Sequence, residues 1–342
     1  MLQSAKFIIK RLAYRSGLAG LYHRIRNRRT LTVAMFHRVL PPQDPRFAGA
    51  NPKYTVSSGE FEQLLLFFAA HYNIVSLADV EAAYHGERTL PARAMLISFD
   101  DGWRDNLEYA LPLLKRRRCP AVLFVATGHV GNAKGFWQEE LYDAVVSGRL
   151  AAGALRALCN VDASDTDRPE DTAHLLNLLT AALEKMPADQ REQKLSDFVP
   201  PAPGRPRAMI GAAEFDSLLH GAMAIGGHGH THEPLTTVPD PDGELRQCRS
   251  TLQQLVPAID RPAFSFPHGR YDDRLIALVA AANFGLCFTS DPALTDLGRL
   301  SSGQPLGRQE IDLSSYRDGC GKGDHDLDIA GLAFNLFTQR IG

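Results

Sequence analysis

Leu96-Ile97-Ser98-Phe99-Asp100-Asp101-Gly102 is an apolar run that stops abruptly on two adjacent carboxylates and a glycine. A run of this kind reads as a buried parallel strand. Its two acids then emerge at the carboxyl end of the strand, where open and barrelled α/β sheets gather their chemistry. Desolvating two carboxylates side by side is unfavourable unless a cation or a shared proton relieves the repulsion, so the pattern points first to a metal site. A simpler alternative has the pair cap a helix that starts at Trp103, but it leaves the histidines described next without a purpose.

Far downstream, Ile225-Gly226-Gly227-His228-Gly229-His230-Thr231-His232-Glu233-Pro234-Leu235 alternates three imidazoles within five residues. His228 and His232 are four apart, so on a helical turn they share a face and can grip one ion. Asp101 supplies the third ligand in this reading. One carboxylate and two imidazoles leave positions for water and substrate, the arrangement of a catalytic rather than a structural site. The expected cofactor is a divalent ion, with zinc the first candidate. His230 points opposite its neighbours and falls outside the set.

Phe99-Asp100-Asp101-Gly102 after a strand, followed by His228-x-x-x-His232, resembles the first two motifs of the polysaccharide deacetylases, the NodB-like carbohydrate esterases. Phe264-Ser265-Phe266-Pro267-His268-Gly269 is similar to the groove-wall motif of that family. Met35-Phe36-His37-Arg38-Val39 is similar to the opening of one branch of it. The resemblance runs roughly from Leu31 to Leu313. It implies an α/β protein, an irregular (β/α) barrel of the NodB type. It further implies Asp100 as catalytic base, Asp101, His228 and His232 as metal ligands, and Pro267 and His268 along a substrate groove. The expected substrate is an N-acetylated sugar of a surface polysaccharide or its precursor. Ser265 stands where many members carry an arginine that orients the base, and Arg261 and Arg308 are the candidates to replace it. The counterpart of the last motif, Leu306-Gly307-Arg308-Gln309-Glu310-Ile311, holds no histidine to act as general acid. His37, which follows the strand Leu31–Phe36, is the preferred proton donor, ahead of His325.

The remaining pattern alternates strand-like and amphipathic helical segments, as a parallel sheet or barrel with outer helices requires. Expected strands cover Ala121–Val125, Ala222–Ile225, Ala263–Phe266 and Gly285–Phe288. Ser58 and Ser76 are candidate helix caps. Between about 137 and 206 the pattern becomes helical and polar, which reads as an insertion into the barrel of residues 31–342. Trp137, beside Phe136, is a candidate stacking platform for a sugar ring; anchoring the insertion is the alternative.

The chain has 342 residues, 44% of them hydrophobic and 22% charged, and a net charge of −2 that argues against wholesale nucleic-acid binding. Five scattered cysteines without CxxC pairing indicate neither a disulfide framework nor a thiolate metal site. Residues 1–30 differ: eight lysines and arginines occur before Thr30, no acid precedes Asp44, and apolar residues recur at partly helical spacing. This suits a basic amphipathic helix lying on an anionic membrane surface through residues 1–29, or one packed on the domain. Lys10, Arg11 and Arg15 interrupt any run long enough for a signal core or a span. The expected location is cytoplasmic, either free or peripheral on the cytoplasmic face of the membrane, and the oligomeric state is left open. Two alternatives to a polysaccharide deacetylase remain: a small-molecule amidohydrolase or deformylase on the same fold, and an inactive carbohydrate-binding descendant.

Overall fold

The run Thr30–Phe36 forms strand β1, and all seven of its residues are buried, as expected of a strand covered on both faces. This is seen in a computed structural model that describes residues 2–150, 171–199, 204, 206–221, 223–301, 303–316 and 327–342. The run Ala94–Phe99 (β2) lies parallel to β1, with Leu31 opposite Ala94 and Phe36 opposite Phe99. Ala121–Val125 (β3), Met223–Gly227 (β4), Phe264–Ser265 (β5) and Cys287–Phe288 (β6) follow in parallel order.

The ring is completed by a segment without strand-like periodicity. Leu306 donates its N–H to the Cys287 carbonyl at 2.8 Å and accepts from Thr289 N–H at 3.0 Å. Three residues later Gln309–Glu310 (β7) pairs in parallel with Ala34 and Met35 of β1. Residues 306–311 thus join the last strand to the first, and the architecture is an irregular (β/α) barrel.

Side-chain alternation along the strands sorts the core into two groups. Leu31, Val33, Leu96, Val122, Phe124 and Phe288 form one cluster. Ala34, Phe36, Ile97, Phe99, Leu123 and Val125 face the other way and join helix residues such as Phe61, Leu64 and Leu252. The same period of two carries Asp100 to the side of Leu96 and Ser98.

The helices around the ring follow local signals. Ser57, one residue before the expected cap, begins helix Ser58–His71 in a capping box with Glu60. Ser76 and Asp79 do the same for Leu77–Tyr84. The helix after β2, Leu111–Arg117, is preceded by a wide turn at Asn106–Ala110.

The basic N-terminal segment is two helices, Leu2–Arg15 and Leu18–Arg26. Gly17 separates them at φ +79°, a left-handed backbone that continues no helix. They pack against helix Ile329–Thr338 at the other end of the chain, where the His23 ring stacks on Phe337 at 4.1 Å. No helix among the described residues is long and apolar enough to cross a membrane. The insertion contributes helices Trp137–Val146, Asp171–Glu184 and Ala188–Phe198 around a small core of its own, centred on Leu141, Ala144, Leu179 and Leu183. His325 lies outside the described residues.

Candidate metal centre

β2 ends at Phe99, and its ladder continues one residue further: Asp100 donates its N–H to the Phe36 carbonyl at 3.0 Å. The chain then turns sharply. Asp101 has φ +82° and Gly102 φ +89°, the region in which a residue with a Cβ is strained. At Gly102 a Cβ would also come within 3.1 Å of Val125 Cγ1, so glycine is favoured there on two counts. The turn aims two consecutive carboxylates into one buried space.

β4 delivers the histidines. They do not share a helical turn, as the spacing predicts, but follow the strand in a loop. Gly229 at φ +74° and His232 at φ +67° exclude a helix. The loop is pinned from below by Glu244, which accepts from the N–H groups of His230 and Thr231 at 2.7 and 2.6 Å. The two left-handed residues curl the chain so that both imidazoles face Asp101. His232 Nε2 lies 3.2 Å from Asp101 Oδ1, and His228 Nε2 lies 3.6 Å from the same oxygen. The three candidate donor atoms all fall within 4.8 Å of one another.

The surroundings fit these groups to a cation. His228 Nδ1 is 2.8 Å from the Ser265 carbonyl, so this nitrogen carries the proton and Nε2 presents its lone pair inward. Burial pushes the His228 imidazole down to about 4, which keeps it neutral and able to ligate. Burial works against ionisation of Asp101, but the His232 contact and the nearby imidazoles outweigh it and hold the carboxyl well below the usual range. The indole N–H of Trp103 donates to Asp101 Oδ2 at 2.8 Å, leaving Oδ1 for the histidine side. Arg38, itself buried and paired with Asp105 and Glu139, covers the Trp103 ring at 4.1 Å and fixes it.

Asp100 has a different set of partners. Both terminal nitrogens of Arg308 donate to its two oxygens, at 2.6 and 2.7 Å. Arg308 Nη2 also donates to Ser265 Oγ at 2.8 Å, and Nε donates to the Thr289 carbonyl at 3.0 Å. Burial opposes the charge on Asp100, but the field of Arg308 prevails and lowers its pKa. Between the two candidates for the base-orienting arginine, the geometry selects Arg308; Arg261 reaches instead to the Phe284 carbonyl at 3.3 Å.

The other residues singled out from the sequence occupy varied positions. His37 lies close enough to lower the pKa of both Asp100 and Asp101, and its ring meets Tyr54 edge-on at 4.9 Å. Pro267 is buried near Gly229, and the His268 ring is 4.9 Å from that of His232. His230 turns away, 3.0 Å from Thr127 Oγ1. Trp137 packs on the core of the insertion, with Arg191 over its ring at 5.0 Å. The aromatic ring beside the candidate metal ligands is its neighbour Phe136, 4.2 Å from His232. Trp103 was not anticipated as part of the site; an indole donor two residues after the acid was the available signal.

The family model described as polysaccharide deacetylase matches residues 87–154, the stretch that contains both acids. This chain is related to the polysaccharide deacetylases and shares their fold. A poly-beta-1,6-N-acetyl-D-glucosamine N-deacetylase of Staphylococcus aureus (strain MSSA476) is 32% identical over 128 residues, 36% of this chain and 41% of that protein. The match therefore spans less than half of the staphylococcal relative. The Streptococcus pyogenes deacetylase PplD in complex with acetate superposes with a TM-score of 0.53 at 16% identity, covering 82% of this chain and 92% of that one. IcaB from Ammonifex degensii gives 0.53 at 18% identity, covering 82% and 91%. The histidines lie outside the family match, so their grouping with the two acids rests on the geometry above.

Proposed function

We propose that this protein is a metal-dependent hydrolase that removes N-acetyl groups from an N-acetylated sugar of a surface polysaccharide or its precursor. The observation that carries the reading is the convergence of Asp101, His228 and His232 within 4.8 Å, beside a second carboxylate, Asp100, that Arg308 grips and that lies 3.8 Å from His228 Nε2. The donor set of one carboxylate and two imidazoles makes zinc the first candidate. A divalent ion held there supplies Lewis acidity toward an amide carbonyl and lowers the pKa of water.

The rest of the chemistry belongs to the chain. Asp100 is ionised and has both oxygens aligned by the Arg308 fork, so it can take a proton from an attacking water without first having to reorient. Its proximity to the candidate metal ligands, 3.8 Å from His228 Nε2, supports this role for Asp100. His37 is the proton donor for the departing amine in this scheme, since it lies across from Asp100 at the end of the adjacent strand β1. Pro267 and His268 border the same space and are assigned to contact the sugar.

Acetate release from N-acetylglucosamine oligosaccharides, measured with and without a chelator, tests the reading. Release that stops on chelation and returns with zinc supports it. A metal-loaded, folded protein inert on oligosaccharides but active on small amides or formamides overturns it. A His37→Gln variant that keeps wild-type kcat removes His37 from the mechanism while leaving the remainder intact.

A further inference from the structure

Eleven large hydrophobic side chains are exposed among the described residues, and seven of them lie on the first two helices. Ile8, Ile9 and Leu12 belong to the first helix. Leu18, Leu21, Tyr22 and Ile25 belong to the second, with Ile25 70% exposed. The second set recurs at i, i+3, i+4 and i+7, which is one continuous helical face. The opposite face is satisfied by the barrel: Ala19 packs on the main core and His23 is buried against Phe337. The apolar face outward is thus additional to what the fold needs.

The charge around that face identifies what would cover it. Eight lysines and arginines occur in the first 29 residues with no acid among them, in a chain whose total charge is −2. Arg15, Arg24 and Arg28 are exposed beside the apolar residues. Pairing this face with a second copy of itself would bring two strongly basic surfaces together. An anionic bilayer matches both properties: it accepts the apolar side chains and attracts the cations. We infer that the N-terminal helical pair docks this protein on an anionic membrane surface, lying in the interface without crossing it.

The same packing sets the orientation. The second helix ends at Arg26 with Asn27 as its cap, just before β1 begins at Thr30. Its partners gather at that end of the barrel: the His71 carbonyl is 3.2 Å from His23 Nε2, and Arg93, preceding β2, donates its N–H to the Arg28 carbonyl at 3.3 Å. The metal centre lies beyond the opposite, carboxyl ends of the same strands, about 20 Å away along a seven-residue strand. Docking therefore turns the site mouth away from the bilayer, toward glycan in the aqueous phase rather than the sugar next to a lipid. This last step rests on the proposed deacetylase reading; the docking does not.

Flotation of the full chain with vesicles of phosphatidylcholine, with and without phosphatidylglycerol, tests docking directly. Binding is expected only with the anionic lipid and should weaken with salt. The exposed triple variant Leu18→Ser/Leu21→Ser/Ile25→Ser should lose at least tenfold in partition, and Arg15→Gln/Arg24→Gln/Arg28→Gln roughly 100-fold. Failure of the wild type to float, equal flotation of both variants, or a stable dimer that the apolar variant dissociates and that ignores vesicles would each overturn the proposal. Hydrolysis of a soluble oligosaccharide should continue at saturating vesicles, and its suppression by wild-type docking would overturn the orientation. An inactive protein that still floats separates the two readings.

Discussion

Arg308 and Asp100, 208 residues apart in sequence, form a buried two-point pair in which each guanidinium terminal nitrogen donates to its own carboxylate oxygen, at 2.6 and 2.7 Å. Arg308 is only 1% exposed, so neither charge has water to fall back on. Replacing Arg308 with Met should strand the carboxylate and destabilise the protein by about 3–5 kcal/mol. Arg308→Lys keeps the charge and loses the fork. It should fold, retain its metal content and lose at least about tenfold in kcat with little change in KM. Thermal denaturation, elemental analysis and acetate release measure the three quantities. Wild-type turnover in the Lys variant would show that the fork does not position the base.

The two adjacent aspartates should separate cleanly. Asp100→Asn removes the base and leaves Asp101, His228 and His232 in place. Metal content should persist while kcat falls by roughly 100-fold to 10,000-fold. Asp101→Asn should do the reverse in sequence of cause: metal affinity falls first, and added zinc restores part of the activity. A metal-free Asp100→Asn protein would mean that both carboxylates ligate.

Trp103 provides a subtler test. Its indole N–H fixes Asp101 Oδ2 at 2.8 Å, and partners of this kind typically contribute 10-fold to 100-fold in metal affinity. Trp103→Phe keeps the aromatic bulk between Arg38 and Phe136 and removes only the donor. Competitive zinc titration should show affinity weakened within that range, with stability nearly unchanged.

What could be read from the chain and what could not divide along physical lines. Thr30–Phe36 and Ala94–Phe99 are legible because strands buried on both faces must be continuously apolar. The candidate ligands are legible because carboxylate pairs and clustered imidazoles are too unfavourable to bury without a use. The closure of the barrel is not legible: Gln309–Glu310 is two residues long and polar, and its pairing with β1 is a tertiary fact without a local signal. Arg308 therefore had a candidate role but no position until the ring was closed. The histidine spacing of four was also ambiguous, because the same separation brings two rings together on a helix or in a loop curled by left-handed residues.

Acid should loosen the N-terminal helices through His23. Burial beside Tyr72 and Phe337 pushes this imidazole down to about 4 from an ordinary value near 6.5. The folded chain therefore stays neutral at His23 while the unfolded chain takes a proton, so stability is full above about pH 6.5 and is lost as pH falls toward about 4. At the acid end of that window the loss from this one group is about 3 kcal/mol. His228 contributes in the same direction when no cation holds it, so the informative quantity is a difference between variants. His23→Gln can still bond to the His71 carbonyl and Asn27 without titrating. Its unfolding free energy, from urea melts at several pH values across the window, should fall less steeply than that of the wild type. Parallel curves would mean that His23 is not buried as a neutral ring, and that the contact between the helical pair and Phe337 is not what holds this segment on the barrel.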